Sequence, residues 1–150
     1  MFFLAWLSAA TLPAGPESEP GQSSNPESSS ALATRAWDAL RRKEYAGARQ
    51  AARRCQELYR AQAETMQKAL TTLPGKETAP QKWALNDVGT CTYILGQAAE
   101  AENQREEAMT AYREVIDNYL FAQCWDPQGW YWQVAVAARE RLTALAMDTP

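Results

Sequence analysis

From Ala31 onward, apolar side chains recur at the three- and four-residue spacing that lines one face of an α-helix. Leu32, Ala36, Ala39 and Leu40 form the first stripe and predict a helix over 31–43. Glu44 and Tyr45 make a tight turn, and a second helix starts near Ala46. Its stripe of Ala48, Ala52, Cys55, Leu58, Tyr59, Ala63, Met66 and Leu70 carries it to 73, where Pro74-Gly75 stops it. Pro80 suits the first turn of a third helix over 81–101, striped by Trp83, Leu85, Val88, Tyr93, Leu95 and Ala99. Asn103-Gln104-Arg105 is the next turn, and a fourth helix covers 106–119. After a connection over 120–125, Asp126-Pro127 reads as a helix start. A carboxylate there caps free amide groups, and proline suits the first helical position. The last helix is expected over 127–146.

The chain ahead of these helices has a different character. Residues 15–30 hold three prolines and no apolar side chain larger than proline, so they bury too little surface to offset their ordering entropy. They are expected to form a disordered Ser/Pro/Glu linker. Residues 1–14 place the short apolar run Phe2-Phe3-Leu4-Ala5-Trp6-Leu7 ahead of small residues, the pattern of a signal peptide, although no Lys or Arg precedes it. The run is shorter than the roughly 20 apolar residues of a membrane span. The expected organisation is therefore a signal peptide over 1–14, a linker over 15–30 and a helical domain over 31–147. The expected location is periplasmic or secreted, with the cytoplasm as the alternative.

Composition sharpens the fold class. Alanine and leucine dominate the 46% apolar residues, against four valines and two isoleucines, so the chain is expected to be all-α. The net charge of -3, with Arg41-Arg42-Lys43 as the one basic triplet, speaks against nucleic acid as a partner. Histidine is missing, and with it the commonest general base and metal ligand. Glu100, Glu102, Glu106, Glu107, Asp117 and Asp126 read as helix-surface and cap residues rather than as two carboxylates fixed across a cleft. No enzyme activity, cofactor, metal or small-molecule substrate is expected.

The two helix pairs compare well with each other. Glu44-Tyr45-Ala46-Gly47-Ala48 precedes Ala51-Ala52 and Cys55, and Gln104-Arg105-Glu106-Glu107-Ala108 precedes Ala111-Tyr112 and Val115. Leu95-Gly96 and Ala99 stand in the helix before the second turn. This alternation of small contact residues with large filling residues resembles the tetratricopeptide repeat, over about 31–119. Ala48 and Ala108 lie 60 residues apart, whereas a regular array repeats every ~34. Arg35 also replaces the family's usual leucine. The resemblance implies two divergent helical hairpins and a capping last helix in a right-handed superhelix. The segments 83–91 and 121–132, the latter rich in tryptophan, are similar to exported bacterial members of that family.

What the resemblance implies about function is a scaffold that binds a partner protein or peptide in its groove. Family positions assign the groove to Trp37, Arg41, Tyr93, Gln97 and Glu100, with Trp132 and Arg139 from the last helix. Such a lining suits an extended peptide or helix carrying an acidic group. Trp125, Trp130 and Trp132 are half of the six tryptophans. They either seal the end of the domain or anchor a partner. An accessory subunit docked in a larger membrane or envelope complex through this end is the alternative role, and a carbohydrate-binding protein is a third. Peripheral membrane association through the N-terminus or through such a complex is compatible with either role. Given export, Cys91 and Cys124 are the candidate disulfide, contributing about 3–4 kcal/mol, with Cys55 a buried thiol.

Overall fold

The computed structural model describes residues 25–148, so the expected signal peptide and most of the expected linker lie outside the described residues. Ser29–Arg41 (α1) and Tyr45–Lys68 (α2) form one helical hairpin, and Trp83–Ala101 (α3) and Arg105–Asn118 (α4) form a second. A short 3-10 helix, Ala79–Lys82, leads into α3. Gln123–Asp126 (β1) and Trp130–Gln133 (β2) pair antiparallel after α4, and Val134–Met147 (α5) follows. The fold is mostly helical, with one small two-stranded sheet.

Each hairpin turns in the same way. Lys43 and Asn103 both take the left-handed conformation, with φ of 60° and 58°. Glu44 N–H donates to the Ala39 carbonyl, and Gln104 N–H donates to the Ala99 carbonyl, at 2.9 and 2.8 Å. Ala48 then bonds back to Glu44 as Ala108 does to Gln104. A left-handed residue just past the last helical turn is the usual way to satisfy free carbonyls and reverse the chain. Ala48, Ala52, Ala108 and Ala111 are buried against the preceding helices.

Helix α3 is the centre of the molecule. It packs on α1, α2, α4, α5 and β1, and 13 of its 19 residues are buried. A helix buried on every side shows no clean stripe in its sequence, which is why Trp83, Leu85, Val88, Tyr93 and Leu95 fit a single face poorly. Two glycines let its neighbours close in. A Cβ on Gly96 would lie 2.5 Å from the Tyr112 ring, and one on Gly89 would overlap Ala122 and stand 3.3 Å from Tyr119 Cβ. The polar groups on α3 are paired inside the core. Gln56 Nε2 donates to Thr92 Oγ1 at 2.8 Å, and Thr92 Oγ1 donates to the Val88 carbonyl. Buried polar atoms left without such partners would each be costly.

Three expectations are corrected. The linker does not extend to Ser30: Ser28 caps α1 through its hydroxyl, and Arg35, Arg54 and Tyr59 bind residues 26–27. Helix α2 stops at Lys68 rather than at 73, because Thr71 and Thr72 are β-branched and Leu73 precedes a proline. The last helix starts at Val134, and Asp126-Pro127 begins a hairpin turn instead of a helix. Asp126 Oδ1 accepts from Gln128 N–H at 2.8 Å and its carbonyl from Gly129 N–H at 2.9 Å, while Gly129 has φ +110°. A carboxylate followed by proline serves a helix cap and a β-turn equally well. Gly129 and the aromatic run Trp130-Tyr131-Trp132 favour the turn and strand.

Helix α5 is fastened to the second hairpin through Glu100, which is paired with Arg141 and accepts from Tyr112 Oη at 2.8 Å. Burial pushes the Glu100 carboxyl up, but the hydrogen bonds from Arg141 and Tyr112 outweigh it, and the net displacement is below its ordinary 4.5. A carboxyl lowered in the folded state stabilises the fold above its unfolded pKa, and this contribution is lost as pH falls through the folded value. Acid unfolding, followed by circular dichroism below pH 4.5, is therefore expected to be shallower in Glu100→Gln than in the parent. Gly96→Ala forces a methyl into a ring that Glu100 and the core hold in place, and is expected to cost about 1–3 kcal/mol in urea unfolding. Gly47→Ala, whose methyl would meet Ala39 Cβ at an ordinary 3.7 Å, is expected to hold or raise stability.

Candidate binding cleft

Helix α1 presents Ser30, Ala33, Thr34, Trp37 and Arg41 along one face, spaced three or four residues apart except for the adjacent pair Ala33 and Thr34. Pro80, Trp83, Asp87 and Thr90 form a matching line down the 3-10 helix and the first half of α3. The β-hairpin stands across the gap between these lines. Together they enclose a cleft of about 550 Å³, closed on the hairpin side by Gln123, Cys124, Trp125, Asp126, Pro127, Tyr131 and Trp132.

The hairpin owes its position to a few amide side chains. Asn86, buried at the start of α3, donates to the Ala79 carbonyl at 2.8 Å and accepts from Gln123 N–H at 2.9 Å. Gln123 Nε2 donates to the Pro74 carbonyl and Gln133 Nε2 to the Leu120 carbonyl. Gln67, at the end of α2, accepts from Phe121 N–H at 2.9 Å. Val134 N–H donates to the Ala122 carbonyl, so both ends of the hairpin are pinned within two residues of the strands.

The aromatic rings fall into two layers. Tyr93 is buried and forms the floor, with Trp37 at 6.4 Å, Tyr112 at 5.6 Å and Trp132 at 5.8 Å between centroids. Trp125 and Tyr131, cross-strand neighbours, meet edge to face at 4.9 Å, and Trp125 is 48% exposed. Trp83 packs edge to face on Tyr59 at 5.8 Å. Edge-to-face pairs fix the rings in place beyond what their buried area alone provides. On a strand, Trp130 and Trp132 share a face. Trp132 reaches the core, whereas Trp130 at the turn is 50% exposed and lies outside the cleft lining.

The residues assigned to a groove divide accordingly. Trp37, Arg41 and Trp132 meet on one cleft. Tyr93 lies beneath it, too buried to touch a ligand directly. Gln97 bonds the Tyr93 hydroxyl at 3.1 Å and stands a turn further along α3, and Arg139 is exposed on α5, so neither lines the cleft. Trp83, Asp87, Thr90, Asp126 and Tyr131 line it although the sequence reading did not assign them to the groove. The 83–87–90 spacing is a helical stripe, and it is the signal that could have found three of them.

Polar chemistry in the cleft is anionic more than cationic. Asp87 accepts from Ser29 Oγ at 2.5 Å, Asp126 is held by Gln128 N–H, and Arg41 is paired with Asp38 on its own helix. Cys124 lines the cleft as a free thiol, and burial pushes its pKa up. All three cysteines are free in this structure, and the expected bridge from Cys91 to Cys124 is not formed in it. Cys91 is fully buried, and its hydrogen bond with Cys55, more than its burial, holds the thiol protonated. Among the described residues, no group of three or more His, Cys, Asp or Glu side chains is placed to hold a metal ion, and no helix is long and apolar enough to cross a membrane.

Compared with known proteins, the chain matches no family model, no curated protein and no solved structure.

In the folded protein a thiol reagent is expected to label Cys124 alone, and slowly, because only the thiolate reacts. All three thiols should react after unfolding in urea without reductant. Two missing thiols in that titration would restore a disulfide.

Proposed function

We propose that the protein is a non-catalytic, tetratricopeptide-like interaction module that holds an extended segment of a partner protein in the cleft between α1, α3 and the β-hairpin. The observation that carries this reading is the convergence of Trp37, Trp83, Trp125 and Trp132, with Tyr131, on one cleft. Four of the chain's six tryptophans thus line a single concavity drawn from three separate parts of the chain. Rigid aromatic rings lose little entropy on binding and dominate the energetics of recognition sites. A volume of about 550 Å³ suits a few residues of peptide. The matched turns at Lys43 and Asn103, and the buried small residues Gly96, Ala99 and Ala108, support the family reading. An exported, periplasmic or secreted location remains part of the proposal and rests on residues 1–14.

A second reading, docking as an accessory subunit in a larger assembly, is favoured by Trp130, half exposed on the hairpin outside the cleft. The two readings separate by mutation. Peptides selected from a random library on the immobilised protein are expected to lose roughly thirtyfold in affinity, about 2 kcal/mol, to Trp37→Ala or Trp125→Ala. Helical circular dichroism should stay unchanged. Trp130→Ala should leave peptide affinity alone. Loss of binding on Trp130→Ala only would transfer the function to the hairpin tip.

A further inference from the structure

The cleft carries a sign as well as a shape. Its lining holds two carboxylates, Asp87 on α3 and Asp126 at the hairpin turn, against one guanidinium, that of Arg41. Arg41 is already bridged to Asp38, which does not line the cleft, so the positive charge at this rim is compensated within α1. The carboxylates are fixed in orientation by the Ser29 hydroxyl and by the Gln128 amide. Around them stand the faces and edges of four indoles and a phenol. An aromatic face attracts a cation through its quadrupole and repels an anion. Carboxylates and rings therefore act in the same direction, and an acidic ligand, the kind the sequence alone suggests, would meet both as penalties.

The backbone adds a second constraint. Among the described residues, strand β1 has β2 on one side only, and five successive residues, 123–127, run along the cleft. Beyond Gln123, whose N–H is taken by Asn86 Oδ1, this strand edge is a template for an added extended segment, whose alternate side chains then point into flanking pockets. A segment lying there would carry one side chain in two toward Asp87 and the indoles.

We infer that the occupant of this cleft is an extended peptide presenting a Lys or Arg side chain, which lies against the tryptophans and between Asp87 and Asp126. This deepens the proposed function and rests on the cleft being a peptide site. Long stems on Lys and Arg let an apolar portion pack on the rings while the charged head reaches the carboxylates.

The test is selection of a random heptapeptide library on the full chain, followed by affinity measurements on synthetic winners. Winners should be enriched in Lys or Arg, and replacing that residue by Gln should weaken binding about tenfold. The double variant Asp87→Asn and Asp126→Asn keeps the oxygens that accept from Ser29 and Gln128, and should lose about the same factor. Added salt should weaken the parent complex and leave the double variant's residual binding nearly level. The peptide-side replacement and the salt series stand even if the double variant folds poorly. Uncharged or acidic winners whose binding still depends on Trp37 would overturn the cationic ligand and leave the peptide site intact. No winners at all would overturn both. Carboxylate-dependent binding to phosphatidylcholine vesicles, without Lys or Arg enrichment among peptides, would assign the cleft to a quaternary ammonium headgroup and overturn the inference.

Discussion

Close approach to α3 is the constraint from which the rest of the structure follows. Tyr112 lays its ring over Gly96, and Ala122 comes down onto Gly89, at separations that leave no room for a methyl group. The first contact sets how near α4 stands, and the second sets where the chain emerges from the second hairpin toward the sheet. Packed interiors tolerate little error of this kind. Because Pro80, Trp83, Asp87 and Thr90 lie at or before the N-terminal half of the same helix, the site inherits its rigidity from this packing. Asn86 converts it into a position for the hairpin by bonding both the Ala79 carbonyl and the Gln123 amide.

The two flanks of the molecule are stabilised by different physics. On one, α2 is laced to the α3–α4 turn and to α4 through Arg49 with Glu102 and Glu107, Arg53 with Glu107, and Arg60 with Glu114. The exposed pair of Arg53 with Glu107 adds little stability, whereas Arg49 is largely buried where it meets Glu102 and Glu107. On the other flank, α1, α3 and the hairpin bring rings together across a gap that the described residues do not fill. The proposed binding function rests on this clustering of rings, with Asp87 and Asp126 beside them.

Four helices and both turns were legible in the sequence because apolar spacing and small residues at helix crossings are local properties. Ala36, Ala39, Ala48 and Ala52 say where α1 and α2 touch, and Gly96 with Ala108 says the same of α3 and α4. The hairpin was not legible, since Asp126-Pro127 carries the same side-chain chemistry in a cap and in a turn, and only the later Gly129 and aromatic run tip the balance. Half of the cleft could be read: the stripe from Ser30 to Arg41 and that from Trp83 to Thr90 both keep helical spacing. Their closure by Trp125 and Trp132 depends on amide hydrogen bonds across 37 and 49 residues of sequence, which no periodicity records. The cysteine environment was not legible for a related reason: Cys91 faces Cys55 across the α2–α3 contact, and separation in sequence does not reveal that neighbour.

The central claim is that a partner peptide lies against the tryptophans shared by α1, α3 and the hairpin. The most direct measurement is an NMR titration of the indole N–H signals with a selected peptide. The account predicts that Trp37, Trp83, Trp125 and Trp132 shift together along one binding curve while Trp130 stays still. Movement of Trp130 alone, or changes confined to the α5 surface around Arg139, would contradict it.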